Sequence, residues 1–543
     1  MSGPISSSST GSADQADVIV PPTGAGAGDT CAVAAADILS YPAPADTLAG
    51  PDRNGDAAGG MASIKRRAVR SSLWTMGAFG FGQALRVFTS PILAYLLTPQ
   101  DFGIVGLITV FVTGLSALSD VGIEQAVIQN KRGDDPDFLN TAWTLHVIRG
   151  VLLWIGCCLI AYPVYWLYQD KANARVLVMM FPVAGIASLL NGFNSTRVFS
   201  LNRHLDMGRI TILSLGHQVI AVAVQIAIAW RWPTPWSIIL GGLAANAYVM
   251  VASHTILPGI RNRFHWDREI GRELMRFGRW IMVSTLITYT AMQIDRPLMA
   301  KLLDEAWLGL YVLALNLVRV PVDVVGRLAS VTLFPALARA AEQQPADLRR
   351  VFLRARALIL IVSIALTVGV VLGGPLFIKL FFRTPWHQAG WLARWATIGA
   401  WITLLQATAD RALLALGKTR PLATSNAVNL AVTVVGALLG QHIDAHVLGH
   451  PGGIVGFMLG MCAGKLAGHL MIQIAMARVG LPVFRQDLHY SAILLVASLL
   501  GIFLPEILNR SAERVFLFDG VVAVTVCGLT CAWAGIKVLR AIR

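Results

Sequence analysis

The sequence predicts an all-α integral membrane protein with about fourteen transmembrane helices, arranged as two pseudo-symmetric lobes around a central cavity. Three observations predict this class: an apolar composition, a series of long apolar stretches and an internal repeat. Of the 543 residues, 55% are hydrophobic and 14% are charged, and the mean hydropathy is +0.62. A soluble globular chain carries about 25% charged residues, so we expect lipid to surround most of this chain.

Residues 1–60 differ from the rest of the chain in composition. They are rich in Gly, Ala, Ser, Pro and Asp and contain one basic residue, Arg53. This composition predicts a disordered N-terminal extension, and it lacks the basic segment and apolar run of a signal peptide. Met61 precedes a short basic segment, which suggests a second possible start of translation.

From Leu73 onward the chain is a series of apolar stretches. A helix needs about 20 apolar residues to cross a bilayer, and only a helix satisfies its own backbone hydrogen bonds in lipid. The predicted spans are 73–97, 103–127, 140–166, 175–194, 209–230, 234–257, 279–301, 307–337, 357–382, 389–416, 421–440, 452–476, 489–508 and 515–537.

The connecting segments carry an alternating charge pattern. The formal net charge is +14, and Lys and Arg collect in every second segment, as they do in cytoplasmic loops. We therefore expect both chain ends on the cytoplasmic side. Arg356 is counted among these loop charges, in the predicted inner loop 338–356. No basic soluble domain is present in the sequence, so nucleic acid is not an expected partner.

An internal repeat relates residues 70–113 to residues 276–319 without gaps. Both copies enter the membrane in the same direction, so the repeat is parallel and predicts an axis along the membrane normal. The rarer residue types that match are Trp74 and Trp280, Pro91 and Pro297, and Gly103 and Gly309. The predicted organisation is an N-lobe over 61–257, a basic cytoplasmic linker over 258–278, a C-lobe over 279–476 and a C-terminal helix pair over 477–543.

Charged residues inside the predicted spans are the candidate site. Each costs at least roughly 2.5–3.5 kcal/mol at mid-membrane, so it pairs or lines a wet cavity. Arg319, Asp323 and Arg327 recur every four residues and so share one stripe of a helix. One interpretation is a self-satisfied Arg–Asp–Arg ladder. The other is an anion site, because one carboxylate cannot neutralise two guanidiniums, and guanidinium suits phosphate.

The remaining buried charges also leave two interpretations open. Arg86 either lines the cavity or pairs with a carboxylate such as Glu124. Asp295 either titrates with a coupled ion or pairs with Arg296 or Lys301. The predicted substrate-binding residues are Arg86, Arg149, Arg319 and Arg327, and the predicted ion-coupling residues are Asp295, Asp323 and Glu124.

Several features of catalytic and cofactor-binding proteins are absent from the sequence. It has no Walker loop, and its six cysteines show no metal-ligand spacing. No loop is long enough to hold a catalytic domain. We therefore expect no enzyme activity, no cofactor, no metal and no catalytic residue. Four tryptophans are expected in an aromatic belt at the outer surface: Trp232, Trp236, Trp386 and Trp391.

Five segments carry a family resemblance: Leu97–Gly106 (LTPQDFGIVG), Leu118–Lys131 (LSDVGIEQAVIQNK), Asn140–Gly150 (NTAWTLHVIRG), Gln293–Pro321 and Val331–Arg339 (VTLFPALAR). In this order and spacing, the chain resembles the bacterial polysaccharide-transport (oligosaccharide flippase) family of the multidrug/oligosaccharidyl-lipid/polysaccharide exporter superfamily. The resemblance is closest to the colanic-acid-exporter type. The arrangement of the helices matches over residues 61–543, and the sequence motifs match over about 61–350.

The resemblance implies a flippase that moves an undecaprenyl-diphosphate-linked oligosaccharide repeat unit across the bacterial inner (cytoplasmic) membrane by alternating access. Such transport serves exopolysaccharide or lipopolysaccharide biosynthesis, and it implies a polysaccharide polymerase and a chain-length regulator as partners. The family's cavity cations fit Arg86, Arg319 and Arg327, and Asp295 stands in its Asp-Arg pair. The alternatives are a drug or cation antiporter, a peptidoglycan-precursor flippase of the same superfamily, and a membrane-embedded polymerase or ligase.

Overall fold

The computed structural model describes residues 77, 80–120, 122–171, 173–204, 206–333, 337, 347–448 and 453–508. Every regular element in these ranges is a helix. The predicted disordered extension 1–60, the candidate start at Met61 and the predicted span 515–537 lie outside the described residues. Within them, nine helices are long and apolar enough to cross a membrane.

The first half of the chain forms eight described helices. They are α1 (80–96), α2 (Pro99–Leu118), α3 (Ile123–Gln129), α4 (Pro136–Leu167), α5 (Ala174–Gly192), α6 (Arg197–Arg203), α7 (Met207–Arg231) and α8 (Trp236–Thr255).

The second half of the chain adds eight more described helices. They are α9 (Arg268–Gln293), α10 (Asp295–Leu302), α11 (Glu305–Leu328), α12 (Leu348–Phe381), α13 (His387–Ala415), α14 (Arg420–Ile443), α15 (Ile454–Arg478) and α16 (Phe484–Leu508). π-Helical turns follow α11 (Ala329–Leu333) and α14 (Asp444–Leu448), and a 3₁₀ turn (Thr384–Trp386) precedes α13.

Each predicted span up to 489–508 overlaps a described helix, but several helix ends differ from the prediction. Helix α9 begins at Arg268, inside the predicted linker 258–278, because the carboxylate of Asp267 accepts hydrogen bonds from the first-turn backbone N–H groups. Helix α12 begins at Leu348, so a charged first turn precedes its apolar run. The predicted span 103–127 is broken between α2 and α3, where Gly122 has a φ of 59°.

The two copies of the repeat meet where α2 crosses α11. A Cβ added to Gly103 would overlap the carbonyl oxygen of Glu305, and a Cβ added to Gly309 would overlap that of Pro99. Pro99 corresponds to Glu305 in the repeat, as Gly103 corresponds to Gly309. The contact is therefore reciprocal, which places the pseudo-two-fold axis between the two glycines. Both helices start at the same face, so the axis runs along the bundle.

We call the face that holds residues 97–98, 168–171, 173, 303–304 and 382–386 the turn face, and the opposite face, with residues 258–267, the linker face. At the turn face, side chains from both halves of the chain meet. The Lys171 ammonium donates to the carbonyl of Leu303 (2.6 Å), and the Lys301 ammonium lies 3.0 Å from the Asp170 carboxylate. The two halves are thus in direct contact at the turn face, and we call this arrangement closed.

Trp386 is part of this closure rather than of an aromatic belt. It is 1% exposed, its indole N–H donates to the carbonyl of Ala94 (2.9 Å), and its ring contacts Phe102 edge-on at 4.9 Å. The prediction that Trp386 lies at the membrane surface is therefore wrong. A partner almost three hundred residues earlier in the chain cannot be inferred from local hydropathy.

Helices α14 and α15 pack backbone against backbone. Gly436 faces Gly460, and Gly440 faces Gly456, so closely that a Cβ at any of the four would overlap a carbonyl oxygen or carbon of the facing helix. Such a close approach is typical of small-residue contacts between membrane helices. The two helices therefore form one tightly joined hairpin.

Candidate functional site

Charged side chains from both copies of the repeat come together between α1, α10 and α11. Arg319 lies within electrostatic reach of Arg296, Asp323, Asp295 and Arg86. The amide of Gln83, on α1, donates to the Asp323 carboxylate on α11 (3.2 Å). Asp323 is therefore shared between the two halves rather than reserved for arginines on its own helix. We call Arg86, Arg296, Arg319, Asp295 and Asp323 the arginine cluster.

Asp295 is buried at 8% exposure, at the start of α10. One carboxylate oxygen accepts a hydrogen bond from the Tyr311 hydroxyl (2.7 Å), and the other has no hydrogen-bond partner among the described residues. In the described part of the chain no ion pair within 4 Å joins Asp295 to Arg296 or Lys301, and Lys301 pairs with Asp170 instead.

Arg296 also has unmet hydrogen-bonding capacity in the arginine cluster. It is 6% exposed, and its Nε has no hydrogen-bond partner within the described ranges. A buried cation without a close counter-charge is strongly unfavourable. The cluster holds three guanidiniums and two carboxylates, so it carries excess positive charge and suits an anion.

Arg327 lies apart from the arginine cluster. It follows Arg319 by two helical turns, which places its backbone about 12 Å farther along α11, next to the π-helical turn Ala329–Leu333. Arg319, Asp323 and Arg327 thus lie along two turns of α11 and do not form a single binding site.

A second polar site lies within the first half of the chain, toward the linker face. It is a cavity of about 270 Å³ lined by residues of α2 to α8. Arg149 lines it, donating from Nε to the Ser119 hydroxyl (2.9 Å) and from Nη2 to the carbonyl of Ser116 (2.8 Å). Arg149 therefore caps the end of α2 where the span is broken.

The same cavity contains Asp120 and Glu124, one turn apart. Glu124 accepts a hydrogen bond from the amide of Asn202 (2.7 Å). The seven predicted site residues thus fall into three places. Arg86, Arg319, Asp295 and Asp323 form one group, Arg149 and Glu124 line the cavity, and Arg327 lies farther along α11, outside both groups.

Sequence reasoning missed the neutral polar residues of both sites. Gln83 and Tyr311 bind the carboxylates of the arginine cluster, and Asn194 and Asn202 line the cavity. A search for charge inside apolar spans passes over amides and hydroxyls. Asparagines at the end of an otherwise apolar span were the available signal, because they also carry unpaired donors and acceptors into lipid.

Arg356 is a correction to the predicted loop charges. It is fully buried on α12, where Nη2 pairs with the Asp487 carboxylate of α16 (2.5 Å) and Nε donates to the Thr408 hydroxyl (2.8 Å). His469 Nε2 lies 3.0 Å from the same carboxylate. This buried network joins α12, α13, α15 and α16, and the prediction of a solvated loop charge at Arg356 is wrong.

Two carboxylates outside the spans have pKa values below their usual range. The hydrogen bond from the Lys301 ammonium lowers the pKa of Asp170, at the turn face. Backbone N–H groups of Ile270 and Glu269 lower the pKa of Asp267, at the linker face. Across the described ranges, no group of three or more His, Cys, Asp or Glu is arranged to hold a metal ion.

The helical bundle, the parallel repeat and the buried charges define a multi-pass membrane protein with a transporter fold. The fold matches an inward closed conformation of the lipid II flippase MurJ, with a TM-score of 0.64 and 13% identity over 87% of this chain and 100% of that one. It also matches an inward-facing multidrug resistance MATE family transporter of the MOP superfamily, with a TM-score of 0.58 and 14% identity over 76% of this chain and 95% of that one.

The chain belongs to the polysaccharide biosynthesis protein family, whose profile matches residues 92–390. It is 22% identical to the lipopolysaccharide biosynthesis protein WzxC of Escherichia coli, over 60% of this chain and 65% of the relative. It is 23% identical to the teichuronic acid biosynthesis protein TuaB of Bacillus subtilis, over 61% and 67%. It is 21% identical to the succinoglycan biosynthesis transport protein ExoT of Rhizobium meliloti, over 50% and 53%. The match thus spans about half to two thirds of each relative.

Proposed function

We propose that this protein is a flippase for an undecaprenyl-diphosphate-linked oligosaccharide repeat unit. It moves the unit across the bacterial cytoplasmic membrane for exopolysaccharide or lipopolysaccharide biosynthesis. The family, the biosynthesis and transport names of its relatives, and the transporter fold support this proposal. The protein itself does no covalent chemistry on the unit. A polysaccharide polymerase and a chain-length regulator act on the unit after it has crossed.

The arginine cluster is the observation that carries the proposal. Arg86 comes from the first copy of the repeat, and Arg296 and Arg319 come from the second. A diphosphate brings two negative charges and several acceptor oxygens, and guanidinium groups bind such oxygens in pairs. A site built from both halves changes when the halves move, so binding and movement are coupled.

Alternating access assigns opposite roles to the two faces. The bonds at the turn face hold while the headgroup enters from the linker face, and they part when it leaves. We place the linker face in the cytoplasm, since the basic segment 258–278 lies there. Asp295, Asp323 and Glu124 remain the proposed ion-coupling residues, because carboxylates inside a membrane serve in proton and ion relays.

The test is transport in vesicles that contain the full chain. The substrate is a fluorescent undecaprenyl-diphosphate-linked oligosaccharide, and dithionite quenching reports its arrival in the outer leaflet. We expect Arg319→Ala and Arg86→Ala each to reduce transport by about tenfold to a hundredfold, since a charge-assisted hydrogen bond contributes about 1.5–3 kcal/mol. Arg231→Ala is the matched control, because Arg231 is exposed and stacks on Trp232.

Two outcomes would reject the proposal. Wild-type transport by both arginine variants would remove the arginine cluster from the substrate path. Equal or faster transport of the peptidoglycan precursor lipid II by the unsubstituted chain would favour the alternative assignment of a peptidoglycan-precursor flippase.

A further inference from the structure

The cavity lined by α2 to α8 contains hydrogen-bond acceptors that its own side chains do not pair. Asn202 is 1% exposed, its amide nitrogen donates to Glu124, and its Oδ1 has no partner among the described residues. The Oδ1 of Asn194 and the Nδ1 of His146, both on the cavity wall, are also without partners there. Buried polar atoms left unpaired are costly, so a ligand that satisfies them gains affinity.

The volume and the lining select the kind of ligand. About 270 Å³ is far more than a bare ion needs and corresponds to roughly nine water molecules at about 30 Å³ each. The unused atoms are mostly oxygen acceptors, which call for a ligand with several donors. Phe199 and Ile123 add apolar surface to the same wall. Several hydroxyl donors around an apolar ring face are the chemistry of a sugar.

Tyr289 lies against both the arginine cluster and α2, the helix whose end lines this cavity. It lies within electrostatic reach of Arg296 and Arg319, and its hydroxyl donates to the carbonyl of Val110 on α2 (2.6 Å). Ser116, on the cavity wall, follows Val110 by six residues, which is about 9 Å along the helix. One or two sugar rings are long enough to cover this rise along α2 from the level of Tyr289 to the cavity.

We propose that this cavity, which we call the amide cavity, binds a sugar ring of the lipid-linked substrate through Asn194, Asn202 and Glu124. The inference rests on the proposed function and adds a second contact to it: the arginine cluster binds the diphosphate, and the amide cavity recognises the sugar. A buried site that hydrogen-bonds hydroxyls rejects sugars that lack them or place them wrongly. The amide cavity therefore determines which repeat unit is accepted.

The test compares two kinds of lipid on the full chain in nanodiscs. The probes are undecaprenyl diphosphate alone and the same lipid carrying glucose or galactose, and binding is measured by microscale thermophoresis. We expect at least one sugar to tighten binding by about tenfold or more, since one satisfied buried polar group is worth about that much. Asn202→Leu and Asn194→Leu should remove this gain and leave binding of undecaprenyl diphosphate unchanged.

Asn246→Leu is the matched control, because Asn246 lies on α8 but donates to the carbonyl of Gly242 on its own helix. We expect it to keep the full sugar gain. Equal binding of all three lipids, or a sugar gain that survives both cavity substitutions, would show that the amide cavity does not bind the sugar and would overturn the inference. Failure of undecaprenyl diphosphate itself to bind would instead overturn the proposed function.

A second measurement covers the case in which the Asn202 variant does not fold. Ser188→Cys places a thiol on the cavity wall, where Ser188 is 6% exposed. A small methanethiosulfonate reagent should modify this thiol, and the sugar-bearing lipid should slow the reaction about tenfold more than undecaprenyl diphosphate does. The unsubstituted chain gives the background from native cysteines. A thiol that does not react, or that both lipids protect equally, would also overturn the inference.

Discussion

Replacing Gly309 by valine should force the turn face open. Gly309 faces Gly103 at the crossing of α2 and α11, and there is no room for a side chain between the two backbones. The nearest obstacle to a new Cβ is the carbonyl oxygen of Pro99, which belongs to the helix backbone and cannot rotate away. The two helices must therefore separate wherever this contact exists, which is in the closed arrangement of the turn face.

The size of the effect follows from the geometry. A Cβ essentially never lies within 3.0 Å of another heavy atom, so the helices must part by about an ångström or more. Overpacking of this kind costs roughly 1–3 kcal/mol. If the open arrangement does not carry this cost, the ratio of closed to open molecules falls by about fivefold to 150-fold. Alanine should have a smaller effect in the same direction.

The assay is the distance between spin labels on the two halves at the turn face. Gln169 and Thr384 are exposed and belong to different halves, so cysteines there can carry the labels in a cysteine-free background. Pulsed electron resonance should show a longer-distance population that grows in the Gly309→Val protein. Gly373→Val is the control, because nothing lies within 4 Å of a Cβ at Gly373. Distance distributions that coincide for Gly309→Val and the parent protein would refute the reasoning.

Three further predictions concern stability. Arg356→Met should lower the free energy of unfolding by about 3–5 kcal/mol, because Asp487 is left buried without its arginine partner. Thermal unfolding in nanodiscs would measure this loss, and the double variant with Asp487→Leu should recover part of it. Asp267→Ala should loosen the start of α9 at neutral pH only. The pKa of Asp267 is lowered in the folded state, so its contribution to stability is present above the usual pKa and is lost as the pH falls through the lowered one. Protease sensitivity near residue 268, compared between the variant and the parent protein across pH, would measure this. A difference that persists in acid would contradict the prediction. Trp386→Phe should lower the free energy of unfolding by about 1 kcal/mol, because the hydrogen bond to the carbonyl of Ala94 is lost. An unchanged melting temperature would contradict this prediction.

The helical architecture was predictable because each span is recorded locally, as a run of apolar residues. The repeat was predictable for a similar reason, since Gly103 and Gly309 match in sequence and then meet in the structure. The helix starts at Arg268 and Leu348 were not predicted. Charged first turns continue these helices beyond the apolar run, and hydropathy alone does not register them.

The separation of the predicted site residues into three places could not be predicted from the sequence. Arg149 and Arg319 look alike as charges inside apolar spans, yet Arg149 caps the end of α2 and Arg319 joins a cluster between the halves. Arg356 was assigned to a loop because its partner, Asp487, lies far along the chain. Local patterns give the residue type and the depth in the membrane, and only the packing of distant helices gives the partner.

The backbone contact between α14 and α15 limits how the second half of the chain can move. Where carbonyl oxygens of one helix sit directly on glycines of the other, sliding by even one residue would bring larger side chains into collision. Shear between these two helices is therefore excluded. The pair must move as one rigid unit, and the rearrangement falls to the interfaces that the pair makes with other helices, such as that between α9 and α14.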